Sequence, residues 1–148
     1  MLTVSTSLAG GEGEDRSGPA LVELCERAGL DVVHETVSDD RAAIGATIAR
    51  LADGGARFVF TTGGTGLTPD DVTPEATRDV IDREAPGYAE AIRADSRGHT
   101  PLGILTRGVS GVRGRTLVVN FPGNPKAIGQ SWPVVAPTIE HAAATLER

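Results

Sequence analysis

Short apolar runs alternate along this chain with longer segments in which apolar residues recur every three or four positions. A run of about four to eight apolar residues between turn signals is typical of a buried strand, and the longer spacing is typical of one face of a helix. The predicted strands are residues 2–4, 30–37, 57–61 and 115–121. The predicted helices are residues 17–28, 38–53, 73–85, 88–96 and 125–148, the last with a break near Pro133 and Pro137.

Short polar residues mark the expected helix starts. Ser17 is a suitable N-cap for the first helix, and Ser38 or Asp39 for the second. Thr73 is a suitable N-cap for the third helix, because Pro74 follows it at the first helical position.

The order of these elements predicts the fold. Strands that alternate with helices of about 10 to 15 residues favour a doubly wound parallel sheet. We therefore expect one three-layer α/β/α domain over residues 1–148, with a mostly parallel sheet. Only residues 102–112 have no clear pattern, and short strands near Gly108 and Gly111 are one interpretation of them.

The predicted strand at 57–61 ends in a turn that contains Gly63, Gly64 and Gly66. Glycine accepts positive φ and has no side chain to keep a ligand away from the backbone amides. Exposed N–H groups at the end of a strand form a concave anion site, most often for phosphate. An ordinary glycine-rich turn is the alternative, and the aspartates that follow favour the anion site.

A second glycine turn follows the strand at 115–121 and contains Gly123, Asn124 and Lys126. Parallel strands end at one edge of a sheet, where open α/β folds bind ligands. Two anion sites at that edge suit a substrate with more than one phosphate, although neither turn matches a P-loop or a Rossmann fingerprint. Lys126 is the single lysine among 14 basic residues, which favours a place beside phosphate oxygens over a solvated surface position.

Carboxylates beside a phosphate site indicate a bound cation. Asp70 and Asp71 follow the first glycine turn, and Asp39 follows the strand at 30–37 at the same expected edge. Mg²⁺ usually takes one or two carboxylates and completes its octahedron with phosphates and water. We expect Asp71 to face the site and Asp70 to be a solvated turn residue, while Asp39 is equally suited to helix capping.

Composition restricts the class of protein. The formal net charge of −6 argues against a general nucleic-acid binder. No run approaches the roughly 18 apolar residues of a membrane helix, and Cys25 alone provides neither a disulfide nor a zinc cluster. The start of the chain lacks a signal-peptide pattern, so a cytoplasmic location is expected. His34, His99 and His141 have no metal-ligand spacing.

Several motifs together resemble the molybdenum-cofactor biosynthesis family, which includes molybdopterin adenylyltransferases and the gephyrin G domain. The resemblance covers nearly the whole chain, and its most specific part is the TTGGTG block joined to DVTPEA. The motifs, in chain order, are Asp15-x-Ser17-Gly18, Thr61–Gly66, Asp71–Ala76, Pro86-Gly87, Leu105–Arg107 and Pro122–Lys126.

This resemblance implies a function as well as a fold. It implies a trimer, sometimes a hexamer, that adenylylates molybdopterin with Mg²⁺ and ATP before a downstream protein inserts molybdate. It implies that Asp39 and Asp71 are the catalytic and metal-holding residues. It also implies that the molybdopterin phosphate binds at ten positions, which are Ser17, Gly18, Thr62, Gly63, Gly64, Thr65, Gly66, Gly123, Asn124 and Lys126.

Three departures from the family pattern leave other functions open. Ser5-Thr6-Ser7 stands where many relatives have Ser-Asp-Arg, Asp70 stands where many have arginine, and Met1 stands where a longer first strand is expected. One alternative is a catalytically silent relative that only binds molybdopterin. The other is a nucleotide pyrophosphatase domain of the competence-damage type.

Overall fold

The computed structural model describes all 148 residues, and its centre is one six-stranded sheet. The strands are β1 (Leu2–Val4), β2 (Glu35–Val37), β3 (Phe58–Thr62), β4 (Arg83–Glu84), β5 (Ser110–Arg113) and β6 (Thr116–Phe121). The helices are α1 (Thr6–Ala9), α2 (Ser17–Arg27), α3 (Arg41–Asp53), α4 (Thr73–Arg78), α5 (Gly87–His99), α6 (Pro125–Val135) and α7 (Ile139–Leu146). Short 3₁₀ segments cover Pro101–Leu105 and Ala136–Thr138. None of these helices combines the length and apolar character needed to cross a membrane.

The strands lie in the order β2-β1-β3-β6-β5-β4. Neighbours among the first four are parallel, whereas β5 is antiparallel to both β6 and β4. This topology confirms the predicted mostly parallel α/β sheet. It brings the carboxyl ends of β2, β1, β3 and β6 to one side, hereafter called the carboxyl edge.

Two apolar clusters hold the helix layers on the sheet. One contains Phe60 and Trp132, whose ring centroids are 6.0 Å apart, and it packs beneath α2, α5 and α6. The other contains Ile44 and packs beneath α3 and α4. Val118 belongs to the second cluster and Val119 to the first, because successive residues of β6 face opposite sides of the sheet. β6 is therefore buried on both faces, as its continuous apolar run predicts.

Two predicted elements are longer than the observed ones. The second strand covers only Glu35–Val37 of the predicted 30–37, because its single neighbour β1 offers three residues for pairing. The helix predicted over 73–85 ends at Arg78, and Arg83–Glu84 instead pairs with β5 as an edge strand. The other predicted strands agree within one residue, and the helix predicted at 88–96 extends in both directions.

The predicted N-caps are wrong by one or two residues. Asp40, rather than Ser38 or Asp39, caps α3 by accepting a backbone N–H bond at 2.7 Å. Ser17 and Thr73 lie inside their helices as the first helical residues, not at the caps. Local sequence could not separate Asp39 from Asp40, because Asp39 is held by a residue from a distant part of the chain.

The C-terminal helical segment is interrupted once, as predicted. α6 continues through Pro133, which removes a single backbone hydrogen bond, and ends at Val135. The break falls at Ala136–Thr138, where Pro137 lies in a 3₁₀ turn before α7. The predicted break near Pro133 and Pro137 is therefore confirmed, and it lies at Pro137.

Candidate active site at the carboxyl edge

The turns after β3 and β6 lie side by side, because these strands are parallel neighbours in the sheet. Thr62 Oγ1 donates to Pro122 O at 2.8 Å. A Cβ atom at Gly123 would lie 3.2 Å from Gly63 Cα. The two predicted anion-binding turns therefore form one surface, and the buried Thr62 hydroxyl joins them.

The turn at residues 62–66, hereafter the cradle, has three backbone amides that are open to a ligand. Gly63 and Gly64 have φ values of 96° and 65°. The N–H groups of Gly63, Gly64 and Thr65 have no acceptor in the protein. Because backbone donors are almost always paired when they are not exposed to solvent or ligand, three successive unpaired N–H groups at a strand end favour anion binding.

By contrast, protein donors hold the carbonyl groups of residues 63–66. Thr73 Oγ1 donates to Gly63 O at 2.9 Å, and Thr73 N–H donates to Gly64 O at 3.1 Å. Arg107 N–H donates to Thr65 O at 2.8 Å, and Arg107 Nε donates to Gly66 O at 2.7 Å. With its carbonyl oxygens fixed by these donors, the cradle cannot rotate its peptide planes without losing several hydrogen bonds.

Arg107 is a positioning residue that sequence reasoning did not assign to the site. Its guanidinium donates to Asp71 O at 2.6 Å and to Glu75 Oε1 at 2.5 Å. The hydrogen bond from Arg107 is the main cause that lowers the pKa of Glu75 below its usual value. Arg107 therefore ties the cradle to the start of α4. The motif Leu105–Arg107 contains the signal, but the partners are more than 30 residues away in sequence.

Asp71 is half-buried beside the cradle, whereas Asp70 is exposed, as expected. Thr68 donates to Asp71 Oδ2 through its N–H at 2.9 Å and its hydroxyl at 2.7 Å. Burial acts to raise the pKa of Asp71, but the bonds from Thr68, the Gly66 amide and the Arg107 charge together lower it. The Asp71 carboxylate is therefore ionised at neutral pH.

Asp39 is held by Thr6, which stands where the family resemblance leads us to expect a charged residue. Thr6 donates to Asp39 Oδ2 through its N–H at 2.7 Å and its hydroxyl at 2.9 Å. Asp39 N–H in turn donates to Thr6 Oγ1 at 3.0 Å. These bonds fix Asp39 at the carboxyl edge between the ends of β1 and β2, so its side chain does not cap α3.

Each of the two aspartates has one carboxylate oxygen that accepts no hydrogen bond from threonine. Asp39 and Asp71 each receive their threonine hydrogen bonds on Oδ2, which leaves Oδ1 as a possible metal ligand. No group of three His, Cys, Asp or Glu side chains in the protein could hold a metal by itself. This donor set suits Mg²⁺, which usually takes one or two carboxylates and completes its shell with phosphate oxygens and water.

The start of α2 is held on the sheet by a side-chain network. Thr3 Oγ1 donates to Asp15 Oδ2 at 2.8 Å and lies 2.8 Å from His34 Nε2. Asp15 Oδ1 accepts the Gly18 N–H at 2.8 Å, and it lies 3.5 Å from the Ser17 hydroxyl. The Gly18 amide is thus already bonded, so this turn would contribute the half-buried Ser17 side chain to a ligand site.

The second turn offers fewer side-chain groups than its sequence indicates. Asn124 Oδ1 caps α6 by accepting from Lys126 N–H at 2.9 Å and Ala127 N–H at 3.2 Å. The N–H groups of Gly123 and Asn124 have no protein acceptor. Lys126 is exposed and forms no hydrogen bond or ion pair through its ammonium, so this charge is free to meet a ligand.

Three other residues with reactive or aromatic side chains contribute to packing and not to the candidate site. Cys25 is buried in the core, and burial raises the pKa of its thiol to about 11. Trp132 is buried in the core, and Tyr88 donates to or accepts from Thr138 at 2.8 Å.

The chain matches the family model described as the probable molybdopterin binding domain over residues 1–141. It is 35% identical over 145 residues to the molybdopterin adenylyltransferase of Helicobacter pylori, which covers 95% of this chain and 82% of that protein. It is 34% identical over 145 residues to the molybdenum cofactor synthesis protein cinnamon of Drosophila melanogaster. That match covers 96% of this chain and only 24% of the Drosophila protein.

A solved structure is also closely similar. The molybdopterin biosynthesis enzyme MoaB of Thermus thermophilus is 42% identical and superposes with a TM-score of 0.91. The match covers 98% of this chain and 92% of that one.

Proposed function

This chain belongs to the molybdopterin-binding domain family, and we propose that its carboxyl edge transfers AMP from ATP to molybdopterin. The observation that carries the proposal is the row of unpaired N–H groups at Gly63, Gly64 and Thr65, next to an ionised Asp71. An anion cradle with an adjacent carboxylate suits a reaction between two phosphate groups in the presence of a cation.

The proposed reaction needs no general base. A terminal phosphate monoester is largely dianionic at neutral pH, since its second pKa is about 6. One of its oxygens attacks the α-phosphorus of ATP and forms the new P–O bond. The bond from the α-phosphorus to the bridging oxygen breaks, and pyrophosphate leaves with the electron pair. Positioning and charge neutralisation are then the main tasks of the protein.

Different residues would carry out the positioning and the charge neutralisation. The cradle amides and the Gly123 and Asn124 N–H groups would hold the molybdopterin phosphate, with Ser17 at the side. Asp39 and Asp71 would hold Mg²⁺, which would neutralise charge that develops on the phosphates. Lys126 would add a positive charge at the start of α6. The resulting adenylylated pterin would pass to a molybdate-insertion protein, and a cytoplasmic location is part of this proposal.

A direct assay separates the proposal from its alternatives. Purified protein is incubated with molybdopterin, Mg²⁺ and ATP, and both pyrophosphate and adenylylated pterin are measured. We expect the two products in equal amounts. Molybdopterin binding without either product would indicate a silent binding protein. Release of pyrophosphate or AMP from a nucleotide without pterin affinity would indicate a nucleotide pyrophosphatase.

Replacing Lys126 with alanine should weaken the binding of molybdopterin by about tenfold and leave the melting temperature unchanged. The ammonium has no partner in the protein, so its removal costs no folding contact, whereas an ionic hydrogen bond to a ligand contributes roughly 1.5 kcal/mol or more. Calorimetric titration measures the affinity. Arg115→Ala is the matched control, because Arg115 is also exposed and precedes β6 at the opposite edge. Equal affinities in both variants would make Lys126 an ordinary surface residue.

We also propose that the protein is a homotrimer, or a pair of trimers. The large apolar side chains of Leu67, Leu102 and Ile104 are 64–67% exposed. Leu67 directly follows the cradle, and the other two lie in the 3₁₀ segment Pro101–Leu105. Exposed apolar surface of this kind supports a protein contact. Sedimentation velocity at micromolar concentration should give the mass of three or six chains. A single species with the mass of one chain would contradict this assembly.

A further inference from the structure

A second polar cleft lies at the carboxyl edge beyond β6, beside the antiparallel strands. It has a volume of about 410 Å³, within the range of roughly 300 to 1,000 Å³ that is usual for small-molecule sites. Its lining residues include Arg78, Arg93 and Arg107 and one acidic residue, Glu84. Three arginines thus line one cleft in a chain whose net charge is −6. We call it the basic cleft.

Arg93 is the guanidinium in the basic cleft that lacks a counter-ion. It is half-buried, its Nη1 donates to Gly108 O at 2.7 Å, and it pairs with no carboxylate. Its Nε and Nη2 have no protein acceptor, and this pair of N–H groups is the fork that binds two oxygens of a phosphate. Because partial removal of an unpaired charge from water is unfavourable, a bound anion would stabilise Arg93.

Arg107 and Arg78 differ in how far their guanidinium groups are available to a ligand. Arg107 already donates to Glu75 and to two carbonyl groups, so it mainly forms the wall of the basic cleft. Arg78 contacts Glu84 loosely, with Nε 3.6 Å from Oε1, and both side chains are at least half exposed. An anion could therefore replace Glu84 as the partner of Arg78 at little cost.

The basic cleft and the cradle share a wall. Arg107 N–H donates to Thr65 O at 2.8 Å, and the Thr106 hydroxyl lies 3.5 Å from Thr65 Oγ1. Thr65 belongs to the cradle, while Thr106 and Arg107 line the basic cleft. The cradle and the basic cleft are thus neighbouring sites that these two contacts join.

We propose that the basic cleft is a second oxyanion site, separate from the cradle, which binds a phosphate or pyrophosphate group. Two sources share this chemistry, the polyphosphate of a nucleotide that crosses the shared wall and free inorganic pyrophosphate. The nucleotide source rests on the proposed function, whereas binding of pyrophosphate can be measured without any turnover.

Calorimetric titration with inorganic pyrophosphate tests the site. We expect the wild-type protein to bind two equivalents per chain, one in the cradle and one in the basic cleft. Arg93→Gln and Arg78→Gln should each weaken one of these sites by at least tenfold. Arg93→Gln also removes the bond to Gly108 O, so Arg78→Gln, which loses only a loose surface contact, keeps the test valid if the first variant unfolds. Arg97→Gln is the matched control, because Arg97 is exposed on the same helix and outside the cleft.

The outcomes distinguish a nucleotide from a free oxyanion as the ligand. They also distinguish failure of the proposed cleft site from failure of the proposed AMP transfer. A parallel loss of ATP affinity in the cleft variants would identify the nucleotide as the source, and unchanged ATP affinity would identify the free oxyanion. One equivalent of pyrophosphate whose affinity is the same in wild type and in both folded variants would overturn the proposed site. A protein that lacks AMP transfer but loses one pyrophosphate site in these variants would keep the basic cleft and reject the proposed function.

Discussion

Replacing Asp71 with asparagine should lower the rate of AMP transfer by roughly 100- to 1,000-fold, the usual loss when one charge-stabilising group is removed from an active site. Molybdopterin binding should remain, because the cradle amides do not depend on the charge of Asp71. An asparagine side chain has nearly the same shape, and its oxygen can still accept the two bonds from Thr68. Its amide nitrogen would then occupy the position of Oδ1, where a cation could no longer bind.

The folded state of this variant should change little. The bonds from Thr68 would become neutral rather than charge-assisted, which costs about 1 kcal/mol in the free energy of unfolding. Urea denaturation checks this value, and pyrophosphate release under saturating ATP and molybdopterin gives the rate. Asp70→Asn is the matched control, because Asp70 is the adjacent residue with the same charge but is exposed.

The comparison of these two variants decides the role of the carboxylate. The net charge beside the cradle changes equally in both, so a loss confined to Asp71→Asn must come from its position and not from the general electrostatic field. Equal rates for Asp71→Asn and wild type would remove Asp71 from the catalytic mechanism. Equal losses in both variants would indicate that the local charge, rather than a metal ligand, affects the rate.

The cradle could be predicted from sequence because its determinants are local. The apolar run of β3 and the glycines that follow specify a buried strand and an open turn within ten residues. The position of the second turn beside it follows from parallel pairing of β3 with β6. Asp71 and Asp70 could be separated because Asp71 lies beside the Val72-Thr73-Pro74 start of α4.

The parts that could not be predicted depend on contacts between distant segments. Arg107 reaches back to Gly66, Asp71 and Glu75, and no local pattern indicates which carbonyl an arginine will meet. Asp39 does not cap a helix because it is bonded to Thr6, the first residue of α1 and 33 residues earlier in the chain. The antiparallel direction of β5 likewise follows from its hairpin with β6, which a rule based on alternating strands and helices does not anticipate.

The structure shows the environment of two residues that depart from the family pattern. Thr6 replaces a charged residue, yet it donates two hydrogen bonds to Asp39 and so keeps that carboxylate at the carboxyl edge. Asp70 replaces a cation, yet it is exposed rather than turned toward the cradle. Neither change removes a donor from the cradle itself. Both are therefore compatible with AMP transfer.

Replacing Gly63 with alanine should abolish measurable molybdopterin binding, because no side chain fits at this position. The φ value of 96° is unfavourable for alanine, and its Cβ atom would lie 2.4 Å from Val4 O, which belongs to the rigid β1 backbone. The β1 backbone cannot move without loss of sheet pairing, so the turn that contains Gly63 must shift. That shift would displace the three unpaired N–H groups that hold the phosphate.

Gly55→Ala is the control that separates the effect of backbone strain from the effect of steric crowding. Gly55 has a nearly identical φ of 95°, but nothing lies within 4 Å of its Cβ position, and it follows α3 at the opposite edge. Both variants should lose roughly 1 to 2 kcal/mol of unfolding free energy from the backbone conformation. Gly63→Ala should lose about 1 to 3 kcal/mol more through overpacking, and it alone should lose molybdopterin binding. Urea denaturation and calorimetric titration measure the two effects, and normal affinity in folded Gly63→Ala would show that the ligand phosphate does not bind the cradle amides.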